Sequence, residues 1–110
     1  MNIESTKQGK AAVIKLAGRM DAETTGQFDA ACARSLEDGA TTLVIDLSEL
    51  HYISSAGLGS ILRLAKRMQA KGGAVLLCGV KGLVKEVFEM TNLLPAFQVF
   101  DTAEAACRSL

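Results

Sequence analysis

Residues 42–47 read Thr-Leu-Val-Ile-Asp-Leu, a short β-branched run with apolar side chains on both of its faces. A strand of that composition has to be covered on each side, and such strands lie in the middle of parallel or mixed sheets whose crossover connections are helices. The flanking sequence supplies the helices. From about Glu23 to Leu36, Phe28, Ala31, Cys32, Ser35 and Leu36 share one helical stripe, with Gln27, Asp29, Arg34 and Glu37 opposite. Gly39 is placed to end that helix in a left-handed conformation. Downstream, Leu58, Ile61, Leu62, Ala65 and Met68 recur at helical spacing, which predicts a helix from about Leu58 to Ala70 that stops at Lys71-Gly72-Gly73.

The remaining chain extends the same alternation. Ile3 to Lys7 reads as an edge strand, Gln8-Gly9-Lys10 as a hairpin turn, and Ala11 to Ala17 as a second strand broken by Gly18-Arg19-Met20-Asp21. Asp21 or Thr24 is placed to cap the helix that follows. Ala74 to Cys78 reads as a buried strand and Leu83 to about Met90 as a short amphipathic helix. Pro95 breaks the chain before a last short strand, Phe97 to Phe100, and Asp101 or Thr102 is placed to cap a terminal helix. At 110 residues there is material for one core, so residues 1–110 are expected to be a single domain. The expected fold is α/β: a small mixed or parallel sheet of four to five strands flanked by about four helices. Periodicity allows the helices on one face or on both.

Composition excludes several classes of function. Twelve basic residues balance twelve acidic ones, so no overall field draws the chain to nucleic acid or anionic lipid. The start lacks a basic segment followed by an apolar one, and no apolar run reaches the roughly 18 residues of a membrane span, so neither secretion nor membrane insertion is expected. Cys32, Cys78 and Cys107 are widely spaced and odd in number, which reads as buried free thiols in a reducing, cytoplasmic setting. His51 is the only histidine, so neither a metal site nor a Ser-His-Asp triad assembles readily, and Gly57-Leu58-Gly59-Ser60 fits no phosphate-loop pattern. Asp21 and Asp46 each fall near a strand end and come close to the following serines if those strands are neighbours; capping and loop fixation are their expected work, ahead of acid–base chemistry. No cofactor and no enzymatic activity are expected.

The chain reversal is Tyr52-Ile53-Ser54-Ser55-Ala56-Gly57-Leu58-Gly59-Ser60. Two adjacent hydroxyls stand just ahead of a helix, and either Ser54 or Ser55 suits the N-cap position, where a side-chain oxygen accepts from unpaired N–H groups. On local chemistry alone a plain cap and turn is the more economical reading. The sharper one is a regulatory phosphoserine, because a phosphate at a helix N-terminus meets free donors and a favourable dipole.

Taken in order, Gly18-Arg19-Met20-Asp21, the strand Leu43 to Ser48, the Tyr52 to Gly59 loop, Lys71-Gly72-Gly73 and Phe88-Glu89-Met90-Thr91 resemble the STAS domain, in particular the free-standing anti-sigma factor antagonists of bacterial partner-switching systems. The resemblance implies a binding module whose partner is an anti-sigma factor that is also an ATP-dependent Ser kinase. A Ser/Thr phosphatase is the implied second partner. It implies Ser55 as the phosphate acceptor, at the first place of Ser-Ala-Gly, with Ser54, which stands where many members have Asp, as a minor rival. The implied docking surface is Asp21, Thr24, Ser54, Ser55, Ala56, Gly57, Leu58, Gly59 and the helix face of Ser60, Arg63 and Arg67, on a monomer or weak dimer. An alternative within the same resemblance is an accessory subunit of a lipid or anion transport complex. A small nucleotide-binding protein is a weaker third reading.

Overall fold

The computed structural model describes residues 1–110. Five strands run β1 Asn2–Gln8, β2 Ala11–Met20, β3 Thr42–Ile53, β4 Ala74–Cys78 and β5 Gln98–Phe100. Four helices run α1 Thr25–Glu37, α2 Ser55–Ala70, α3 Gly82–Met90 and α4 Ala103–Arg108, with a 3-10 turn at Leu94–Ala96. The strands lie across the sheet in chain order; β1 is antiparallel to β2 and every later pair is parallel. The mixed sheet and the helix count agree with the sequence expectation.

Which faces the helices cover follows from this order. Right-handed crossovers that step steadily in one direction across a parallel sheet place all their helices on the same side. Accordingly α1, α2 and α3 share one core with that face: Phe28 and Cys32, then Leu58, Ile61, Leu64 and Met68, then Val84 and Phe88, packed on Ile14, Leu16, Leu43, Ile45 and Leu47. The opposite face has a smaller cluster, Val13, Val44, Leu76 and Cys78, closed by Ala106 of α4. Phe28 and Phe88 are fully buried, and each contributes about 1.5–3 kcal/mol by leaving water. The β1–β2 turn is Gly9-Lys10, with Gly9 at φ 62°, and Gly39 ends α1 at φ 98°, as the sequence predicts. Of the three free thiols Cys32 and Cys78 are buried, while Cys107 is half-buried instead of sealed in the core.

Two strands run further than their composition suggests. β2 continues through Gly18 and Arg19 to Met20, where a break was expected, and β3 continues from Leu47 to Ile53. Both extensions pass register shifts, at Lys15/Ala17 and at Gly18/Arg19, each of which sets an extra β3 residue against β2. Along β3 the core-facing residues are therefore Leu43, Ile45 and Leu47, then Leu50, then Ile53. The spacing lengthens from two residues to three at each bulge, and the bulges keep the strand aimed at the core until it delivers residue 54.

Candidate functional site

The site forms where β2 and β3 end together. Met20 pairs with Ile53 and Arg19 with Tyr52 in the parallel register. The Ser54 N–H donates to the Met20 carbonyl at 2.9 Å, which ties the start of α2 to the end of β2. Ser54 has extended backbone (φ −92°, ψ 174°) and is the N-cap: its Oγ accepts from the Gly57 N–H at 3.3 Å and its carbonyl from the Leu58 N–H at 2.9 Å. Helix α2 thus begins at Ser55, three residues before the expected start at Leu58. Ser55 occupies the first helical position and is exposed, whereas Ser54 is half-buried. Of the two hydroxyls one is used by the fold and the other faces solvent. With the Gly57 and Leu58 donors occupied, the Ser55 and Ala56 N–H groups remain as the free donors of the first turn.

The early helix start depends on Gly57. It is buried, and a Cβ there would lie 2.8 Å from Ile53 Cγ1 and 3.1 Å from the Met20 carbonyl oxygen. In the sequence this glycine reads as a loop residue; in the fold it lets the first turn of α2 sit against both strand ends. It is therefore a packing residue and no part of a docking surface. The same correction applies to Leu58, which belongs to the core, and to Ser60, which is 1% exposed and not on the outer face of the helix. Ser60 Oγ instead accepts from Arg63 Nη2 at 3.0 Å. Arg63 and Arg67 are exposed as expected, and Ala56 and Gly59 are half-buried.

The Asp21 to Thr24 segment leads from β2 into α1 beside the serines. The Asp21 N–H donates to Thr24 Oγ1 at 2.9 Å, the Thr24 hydroxyl donates to the Arg19 carbonyl at 3.2 Å, and Asp21 Oδ1 accepts from the Glu23 N–H at 3.0 Å. Neither side chain caps α1, contrary to expectation. Thr24 is in the N-cap place but has helical backbone (φ −109°, ψ −10°), so its hydroxyl turns back to brace the reversal. The Arg19 guanidinium lies 4.3 Å from the centre of the Tyr52 ring, with its Nε 3.9 Å from Asp21 Oδ2. Arg19 and Tyr52 were not legible as site residues, because they are 33 positions apart and only strand register brings them together.

Asp46 does not join this group. It accepts from the Ser48 N–H at 3.0 Å and lies beside Cys78, and the eight residues to Ser54 carry the chain roughly 25 Å away at strand rise. Asp21 and Asp46 are therefore not a pair. No three His, Cys, Asp or Glu side chains converge to hold a metal ion, and His51 is exposed. Burial pushes the Cys32 thiol up to about 12, with Asp29 adding to it, and burial followed by Asp46 does the same for Cys78, so neither thiol is a ready nucleophile. The arrangement offers an exposed hydroxyl at the corner where β2, β3 and α2 meet.

Comparison with known proteins agrees with this geometry. The STAS domain family matches residues 2–106. BtrV of Bordetella bronchiseptica, named as a candidate anti-sigma factor antagonist, is 38% identical over 91 residues, covering 83% of this chain and 78% of its own. The anti-sigma-B factor antagonist of Staphylococcus aureus is 26% identical over 104 residues, covering 94% and 96%. Among solved structures, the unphosphorylated anti-sigma factor antagonist SpoIIAA superposes with a TM-score of 0.81 at 24% identity over 98% of this chain and 96% of that one. No helix of this chain is long and apolar enough to cross a membrane. From the ordered strands, the bulged β3 and the serine-capped α2 to the match over residues 2–106, the observations agree: the chain belongs to the STAS domain family.

Proposed function

We propose that this protein is an anti-sigma factor antagonist of a partner-switching system, acting in the cytoplasm by binding and not by catalysis, as a monomer or weak dimer. Its unphosphorylated form binds an anti-sigma factor that is also a Ser kinase and so releases the sigma factor. Phosphorylation of Ser55 blocks that binding, and a Ser/Thr phosphatase restores it. The observation that carries this reading is the division of labour between neighbouring hydroxyls: Ser54 is committed to the cap, and Ser55 is exposed at the first helical position. The names of the relatives support the choice of partner.

Transfer of the γ-phosphoryl group forms a P–O bond to Ser55 Oγ and breaks the bridging bond to ADP, while the hydroxyl proton passes to a base on the kinase. The product carries about −1.5 to −2 charge units at pH 7 beside the free Ser55 and Ala56 N–H groups, so the fold tolerates it. At the middle of an interface the same charge has to be desolvated or meets partner carboxylates, and there it is costly. Phosphorylation thus acts on docking, with the fold unchanged.

The test is to incubate the purified chain with a candidate anti-sigma factor kinase and Mg-ATP and to locate phosphate by mass spectrometry, then to measure binding of unmodified and Ser55→Asp protein. One phosphate on Ser55 is expected, with binding lost in the Asp variant. Backbone NMR shifts on phosphorylation are expected to stay within the first turns of α2 and the adjoining Asp21–Thr24 reversal. Unchanged affinity in Ser55→Asp, or shifts spread across the sheet, would refute the mechanism. Co-purification with transporter subunits and no phosphate would favour the accessory-subunit alternative.

A further inference from the structure

Charge is unevenly distributed over this neutral chain. Helix α2 and its C-cap carry Arg63, Lys66, Arg67 and Lys71, all exposed, and no Asp or Glu. Eight cations remain elsewhere against all twelve carboxylates, so the rest of the molecule is net negative by four. None of the four α2 cations has an ion-pair partner; the molecule's two pairs are Lys15–Glu49 and Arg19–Asp21. Asp29 of the neighbouring α1 shares the surroundings of Cys32 with Arg67 but makes no ion pair with it. Two of the spacings, Arg63 to Arg67 and Arg67 to Lys71, are like-charge i, i+4 pairs, which weaken a helix when it stands alone. An anionic surface laid along this face reverses their sign.

Arg63 is also prepositioned. Its Nη2 donates to the buried Ser60 Oγ at 3.0 Å, and its Nη1 would lie 3.3 Å from a Cβ placed at residue 59. The guanidinium therefore lies back over Gly59, toward Ser55, in the space that a side chain there would take. Ser55, Gly59 and Arg63 follow one another at i, i+4 spacing on the same side of the helix. A guanidinium already held by one hydrogen bond, with its other donors free, loses little freedom when it meets a planar carboxylate.

We propose that the Arg63–Lys66–Arg67–Lys71 face of α2 docks a carboxylate-rich surface of the anti-sigma factor partner, with Arg63 as its anchor. This rests on the function proposed above and is continuous with it, because the cationic face extends along the helix that Ser55 begins. A protein partner suits the face better than the other anionic surfaces. The apolar side of α2 is spent on the core through Leu58, Ile61, Leu64 and Met68, so no apolar side remains to enter a bilayer. Four cations along about 12 Å of helix are also fewer than the roughly six to ten phosphate contacts that support strong nucleic-acid binding.

The same geometry gives phosphorylation a local target. Arg63 stands two turns, about 12 Å, from Ser55, but its guanidinium lies back over Gly59, one turn from Ser55; a phosphate on Ser55 therefore meets it at a range comparable to a Debye length of about 8 Å and competes with the partner for it. Lys71, roughly 24 Å along the axis from Ser55, lies outside that range.

The experiment is calorimetric titration of the full chain and its variants with the anti-sigma factor kinase, from about 50 to about 500 mM NaCl. Binding by the native chain is expected to weaken about tenfold or more over that range, Arg63→Glu to cost about thirtyfold and Lys71→Glu about threefold to tenfold at low salt. Arg63→Lys, which keeps the charge without the planar fork, is expected to recover only part of the loss, and thermal melts of each variant establish that it folds. In a double-variant cycle Ser55→Asp couples to Arg63→Ala and is additive with Lys71→Ala. Salt-independent binding that Ser55→Asp abolishes and Arg63→Glu leaves intact overturns this proposal alone. No binding of the unmodified chain at any salt overturns it together with the function on which it rests. Stripe-dependent binding to phosphatidylglycerol vesicles or to a DNA duplex, in place of the kinase, also overturns it.

Discussion

Replacing each of the two adjacent serines by alanine separates a structural hydroxyl from a displayed one. Ser54 Oγ satisfies the Gly57 N–H at 3.3 Å, while the Ser55 side chain is exposed at the first helical position. Loss of a serine cap costs about 0.5–2 kcal/mol; because this bond is longer than the usual 2.9–3.0 Å, Ser54→Ala should fall in the lower part, at about 0.5–1 kcal/mol. For 110 residues, an unfolding entropy of about 2.1 cal/mol/K per residue amounts to roughly 0.23 kcal/mol/K, so the expected fall in Tm is about 2–4 °C. Ser55→Ala removes no cap and should move Tm by less than about 2 °C, within the ±0.5 kcal/mol of an ordinary surface change. Differential scanning calorimetry of the two variants side by side, at one pH and concentration, checks both numbers. A larger loss in Ser55→Ala than in Ser54→Ala would reverse the assignment of cap and acceptor and refute the reasoning from which the docking mechanism starts.

Gly57→Ala is expected to cost about 1–3 kcal/mol in urea unfolding, because the added methyl meets Ile53 and Met20 at the point where two strand ends and a helix converge. A variant as stable as the native chain would show that α2 has room to move there. For the thiols, burial holds Cys32 and Cys78 up at about 12 in the folded state against an ordinary 9.0, so the unfolded chain binds fewer protons above pH 9. The stability tied to these groups is therefore complete below about pH 9 and falls as pH rises toward 12; a shallower slope above pH 9 in a Cys32→Ala/Cys78→Ala variant is the check, with the part due to Lys15, which Glu49 holds up, remaining. At pH 8 a disulfide reagent should titrate Cys107 alone in the native protein, and rapid modification of all three thiols would contradict the packing.

Much of the sheet was readable because its strands and helices obey their own periods. The apolar alternation Ala12, Ile14, Leu16 in β2 and the compact Leu43 to Leu47 of β3 mark buried strands, and α2 announces itself by Leu58, Ile61 and Met68, although the fold buries Leu64 and leaves the expected Leu62 and Ala65 half-buried. What periodicity could not carry was the second half of β3. Each bulge changes which residue parity faces the core, so Leu50 falls out of step with Leu47, Ile53 falls out of step with Leu50, and the segment imitates a loop. Gly57 hid the start of α2 for a different reason: a glycine required by tight packing is indistinguishable in sequence from one required by a turn. Ser55 was found through resemblance to a family, and its exposure is a fact of the fold. The buried side of Ser60 was there to be read, since it shares a helical stripe with Leu64 and Ile53 lies just upstream of the cap, but its polar chemistry suggested the surface. Arg19 and Tyr52 stand inside the segments that carry the family resemblance, but nothing local marks them as neighbours.

The left-to-right arrangement of strands bears on how the molecule is made. Since β1 to β5 occupy the sheet in the order in which a ribosome releases them, each newly emerged strand joins an edge that already exists, and no later segment has to be threaded between two earlier ones. The serine-bearing corner needs only β2, β3 and the first turns of α2, so all of its parts leave the ribosome before β5 and α4 do.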